Sequence, residues 1–71
     1  LSGQEMIKLL LLKGFTPARQ RSSHVQLKNT KGVLVTVPTH GPKPVSLGVL
    51  HKILRDAEIS REEFIELSKK L

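Results

Sequence analysis

From Arg19 to Lys28 the sequence alternates with a period of two, and the run "VLVTVP" at 33–38 follows it, whereas apolar residues on either side recur every three or four positions. That switch of period limits the fold more than any other feature, because a period of two places alternate side chains on opposite faces of a strand and a period near 3.6 lines one face of a helix. In "HVQLK" His24, Gln26 and Lys28 oppose Val25 and Leu27, and Arg19 and Arg21 share one face of the segment before it. Two short strands therefore meet at Ser22 and Ser23. "NTKG" at 29–32 has turn chemistry, and "VLVTVP" is β-branched and ended by Pro38, which reads as a third strand. The three form a small antiparallel meander.

The flanks read as helices. "SGQE" at 2–5 is a capping box that opens a helix from about Gly3 to Lys13; Gly14 supplies a left-handed stop, Phe15 folds back as its hydrophobic contact, and Pro17 prevents resumption. At 100° per residue Met6, Ile7, Leu10 and Leu11 share the face expected to dock, and Leu9 and Leu12 point the other way as a surplus apolar patch. After the loop "THGPKPVS", Ser46 caps a helix with Leu47, Leu50, Ile53, Leu54 and Ala57 at helical spacing, leaving His51, Lys52 and Arg55 off the stripe. A second capping box, "SREE" at 60–63, opens a short last helix with Phe64, Ile65, Leu67 and Leu71 as apolar contacts. The expected fold is one α+β domain over residues 1–71, with helices on one face of the sheet and the other face open.

The chain is short at 71 residues, has no cysteine, and holds no apolar run near the roughly 20 residues of a membrane span, so a soluble cytoplasmic protein without disulfides is expected. Its charge is uneven. Residues 1–55 carry nine basic side chains against Glu5 alone, a balance of +8, and residues 56–71 carry three basic against five acidic, a balance of −2. Such a field favours polyanions, although charge alone suits a plainly solvated surface equally well.

The period-two count puts Arg19, Arg21, His24 and Lys28 on the open sheet face. Arginine makes bidentate contacts with phosphate, and histidine ordinarily exchanges a proton near neutral pH, so the group suits phosphate chemistry. A passive surface histidine beside arginines fits the same residues. His24, His40 and His51 show no close ligand spacing, which disfavours a metal site built from side chains. A serine nucleophile at Ser22 or Ser23 lacks an orienting carboxylate, since Glu5 is the only acid before Asp56. Stacked aromatics are missing too, because Phe15 and Phe64 are the only ones and both read as core.

Taken in order, "SGQEMIKLL", "GF", "RQRSSH", "VTVPTH" and "LHKILRDAEISREEF" resemble the HicA family, small RNA-cleaving toxins of toxin and antitoxin pairs. The resemblance spans nearly the whole chain. It implies a fold like the double-stranded RNA-binding domain, and an endoribonuclease that cleaves messenger RNA without a metal or other cofactor and is inhibited by a cognate antitoxin of the HicB kind. It also implies that His24, after Ser23, is the catalytic histidine, with Arg19, Arg21, Ser23 and Lys28 holding RNA. His40 is the other histidine offered for protonating the leaving oxygen, with water as an alternative. Three departures stand out: Ser22 where the family usually has glycine, Leu27 where an aromatic is common, and Leu11 and Leu12 where polar residues are common. Two other readings are a non-catalytic RNA-binding module and an interaction protein whose function lies in the surplus apolar patch.

Overall fold

The computed structural model describes residues 1–39, 41 and 43–71. Helix α1 spans Gly3–Lys13, strands β1, β2 and β3 span Thr16–Arg21, His24–Lys28 and Leu34–Pro38, and helices α2 and α3 span Leu47–Asp56 and Arg61–Ser68. The strands form an antiparallel sheet in the order β1-β2-β3. This is the α+β layout of the double-stranded RNA-binding domain, with a further helix after it.

Local chemistry explains most boundaries. At α1 the Ser2 hydroxyl accepts from the Glu5 N–H at 3.2 Å and the Glu5 carboxylate accepts from the Ser2 N–H at 2.9 Å, so each satisfies a free donor of the other. The Ser2 N–H holds the exposed Glu5 carboxyl below the ordinary carboxylate range, against a smaller opposing effect of desolvation. Gly14 ends the helix with φ 111° in the left-handed region, and its N–H reaches back to Leu10 and Leu11. The 29–32 turn is satisfied within itself: the Asn29 side chain accepts from the N–H groups of Lys31 at 3.0 Å and Val33 at 2.9 Å, while Gly32 takes φ 83°.

One face of the sheet is the floor of the core. Val25, Leu27, Val35 and Val37 meet Met6, Leu9, Leu10 and Phe15 from the α1 side, and Ile53, Ala57, Ile59 and Leu67 from the α2 and α3 side, all buried. Leu9 is fully buried and Leu11 and Leu12 are 45% and 49% exposed, which corrects the expected division of α1. Four consecutive leucines make the helix apolar nearly all round, so periodicity alone does not say which arc docks. Here the helix is covered by β3 on one side and α3 on the other, and Met6 lies at the centre of the buried arc.

The last two helices also differ from expectation. Leu47, Ile65 and Leu71 are exposed rather than buried, and Leu47, Leu50, Leu54 and Phe64 border an open groove between α2 and α3. Ser60 caps α3 by accepting from the Glu63 N–H at 3.1 Å. The Glu63 carboxylate does not complete the box: it pairs with Lys13 of α1 and ties the two helices together.

Candidate functional site

The open face is assembled by the β1–β2 hairpin. Its two-residue turn is Ser22-Ser23, so Arg21 pairs directly with His24, and on the other side of the central strand His24 pairs with Pro38. Farther along, Arg19 pairs with Gln26, which pairs with Thr36. Residues opposite one another in a sheet share a face about 5 Å apart, so these two rows stand side by side. They line a shallow concavity of about 180 Å³ walled by Arg19, Arg21, His24, Gln26 and Thr36.

A bulge makes this possible. Thr16 pairs with Lys28 and Pro17 with Leu27, but the next pair is Arg19 with Gln26, leaving Ala18 as an extra residue. Were Ala18 instead paired as a regular strand residue, strict alternation from Thr16 would turn Arg19 and Arg21 toward the core side. The bulge falls on an edge strand, where Pro17 is also tolerated because one side of β1 carries no partner.

The turn itself is strained. Ser22 has φ 54°, a left-handed value, and Ser23 does not share it. A positive φ at only the first turn residue is the pattern of a type II′ hairpin, where glycine is the ordinary occupant. Ser22 thus stands at the position where glycine would be at ease, which explains the glycine that the resemblance leads one to expect there. What holds the turn comes from outside it: the Ser23 carbonyl accepts from both the N–H of Thr39, at 2.6 Å, and its hydroxyl, at 3.0 Å.

Thr39 is in turn braced by the start of α1. Gly3 is buried, and a Cβ built on it would lie 2.2 Å from the Pro38 carbonyl oxygen and 3.0 Å from the Thr39 Cα. No side chain fits in that space. The same junction is closed by the Val45 N–H, which donates to the Leu1 carbonyl at 2.8 Å, and by a bridge between Ser2 and Pro44.

Of the residues singled out in the sequence, Arg19, Arg21 and His24 are brought together. Lys28 is on the same face but two residue pairs farther along, opposite Thr16 and Leu34 and outside the concavity. Ser23 is in the turn, with its carbonyl engaged by Thr39. His40 lies outside the described residues. Gln26 and Thr36 complete the lining beyond the residues expected from the sequence, and the period of two that places His24 also places Gln26 beside it. Leu27 is fully buried on the core face, so its difference from the expected aromatic leaves the open face unchanged.

Electrostatically the concavity is one-sided. No carboxylate lines it, and among the described residues Arg19 and Arg21 form no ion pair, whereas Lys13, Lys52 and Lys69 do. Two fixed cations and an imidazole on an exposed, concave surface can bind an anion with its charge directed at the sheet and exchange a proton with a hydroxyl beside it. No group of three or more His, Cys, Asp or Glu that could hold a metal ion occurs among the described residues, and no helix among them is long and apolar enough to cross a membrane.

A family model described as the HicA toxin of bacterial toxin-antitoxin matches residues 3–59. The matched span takes in α1, the whole sheet and α2, and leaves α3 outside it. No curated protein matches the chain.

Proposed function

The chain belongs to the HicA toxin family of toxin-antitoxin systems, and from that premise we propose that it is an endoribonuclease acting on messenger RNA through His24. His24 removes the proton from a ribose 2′-hydroxyl, and the 2′-oxygen attacks the adjacent phosphorus. As the new O–P bond forms, the bond to the 5′-oxygen of the next nucleotide breaks, and that oxygen takes a proton from His40 or from water. Arg19 and Arg21 stabilise the negative charge that gathers on the phosphate in the transition state. Ser23 and Lys28 hold the strand along the same face. The products of this route carry a 2′,3′-cyclic phosphate on one fragment and a 5′-hydroxyl on the other.

The observation that carries the reading is the convergence of Arg19, Arg21 and His24 on one concavity free of carboxylates. Because the nucleophile belongs to the substrate, cleavage should persist in EDTA. Binding should weaken with salt at a slope of about −0.7 to −0.9 per phosphate neutralised. An antitoxin of the HicB kind would inhibit by covering this face with a surface of opposite charge. Incubating end-labelled RNA with the purified protein and identifying the new termini tests the reading. RNA that is bound but left intact would replace it with a non-catalytic RNA-binding module, and activity lost in EDTA but restored by magnesium would remove the metal-free route.

A further inference from the structure

We propose that Thr39 is a positioning residue that sets the orientation of His24 through the peptide bond between Ser23 and His24. This rests on the reading of His24 as the general base. The Ser23 carbonyl accepts two hydrogen bonds from one residue, the backbone N–H of Thr39 at 2.6 Å and its hydroxyl at 3.0 Å. Two donors on one carbonyl fix the plane of the peptide that leads into His24, where one donor would leave it freer to rock.

Three neighbouring features make this bond pair necessary rather than incidental. Ser22 holds a left-handed φ of 54° that a serine does not favour, so the hairpin tip needs an outside hold to keep that conformation. Pro38, which pairs with His24, stands in a non-hydrogen-bonded pair of the ladder, so the 23/39 pair beyond it supplies the next bond between β3 and the hairpin tip. Gly3 presses on the Pro38 carbonyl and the Thr39 Cα so closely that Thr39 has no room to retreat toward α1. The histidine is thus held by a chain of contacts running from the first turn of α1 through Thr39 to the hairpin tip.

Two variants separate the hydroxyl from the rest of the side chain. Thr39→Val keeps the shape, the β-branch and the backbone N–H but removes the hydroxyl, while Thr39→Ser keeps the hydroxyl and removes the methyl group. For the full chain, Thr39→Val should lower kcat for RNA cleavage about tenfold with KM within about twofold, because small misplacement of a catalytic group acts on the chemical step. Thr39→Ser should stay near the parent in both. The His24 imidazole resonances should move in the valine variant and not in the serine variant.

Unchanged kcat and unchanged His24 resonances in Thr39→Val would overturn the proposal while leaving His24 as the base. An equal fall in kcat in both variants would overturn it as well, since packing of the methyl group would then be responsible. If the parent protein cleaves no RNA, the reading of His24 fails on its own. The resonances then decide: movement in the valine variant alone supports Thr39 as the group that sets His24, and no movement in either variant refutes it.

Discussion

The sheet has two hairpin connections, and they are stabilised in opposite ways. The 29–32 turn between β2 and β3 satisfies itself: Asn29 accepts from two N–H groups within four residues of it, and a glycine occupies the position of positive φ. The 22–23 turn between β1 and β2 has a serine at positive φ and takes its hold from Thr39, 16 residues away in sequence. The self-sufficient turn is remote from the candidate site, and the dependent one presents His24. Strain tends to gather where a side chain must be held at a set angle, and the rest of the fold must then supply the restraint. The hairpin tip therefore belongs to the tertiary structure, and the other turn to its own few residues.

The largest effect should come from the histidine that the dependent turn presents. His24→Ala should lower RNA cleavage by about 100- to 10,000-fold while RNA binding largely persists on the arginines and lysines. Its stability should change by no more than about 0.5 kcal/mol, because His24 is exposed and its loss opens no cavity. A cleavage assay, a binding titration and circular dichroism on this variant are read together, and an unchanged cleavage rate would reduce the tip to ordinary surface.

Next comes the brace behind the tip. Gly3→Ala forces a methyl group into the Pro38 carbonyl, and the backbone must shift at a cost of about 1–3 kcal/mol. Gly48→Ala in α2 is the control, since a Cβ there meets nothing and the helix gains up to about 1 kcal/mol in propensity. Urea unfolding of both should give opposite signs. Equal behaviour would mean that α1 does not support the tip.

Asn29→Ala tests the other turn. It should cost about 1 kcal/mol by removing the acceptor of two N–H groups, with RNA cleavage unaltered at temperatures where the protein is folded. A fall in cleavage beyond the unfolded fraction would show that the two turns are coupled. The smallest effect is a gain: Ser22→Gly should relieve the left-handed strain and, after the extra flexibility of unfolded glycine is subtracted, raise stability by about 0.5 kcal/mol. A loss on thermal unfolding would show that serine makes some compensating contact.

The same contrast decides what was legible in the sequence. "SGQE" and "NTKG" could be read because donor, acceptor and glycine lie within a few residues of one another. Arg19, Arg21 and His24 could be placed on one face because the strands meet at Ser22 and Ser23, which puts Arg21 opposite His24. Lys28 fits the same count yet stands outside the concavity, since a period of two assigns a face and not a distance along it. The contacts that hold the site lie beyond local reading. Nothing near Gly3 announces that Pro38 will press on it, and nothing near Thr39 points to Ser23. Leu9 and Leu11 are interchangeable to a periodicity argument until α3 covers one side of α1, and Glu63 sits in a capping-box position but pairs with Lys13.

Ala18, the extra residue of β1, has a consequence for how the hairpin can change. Phe15 is buried against the core and Arg19 stands on the open face four residues later, an even separation that a regular strand would leave on one side. The bulge is a change of parity. It lets the stretch before it take its orientation from the core and the stretch after it take its orientation from the tip. Shortening the strand by that one residue would leave Arg19 and Arg21 outward, because the pairs from Arg19 to Arg21 are counted back from His24. A residue added between Arg21 and His24 that joined β1, with the turn kept at two residues, would shift Arg21 opposite Val25 and turn the arginines inward. Length variation on the Phe15 side of the arginines thus leaves their face unchanged, whereas on the side of the histidine it does so only if the turn absorbs it.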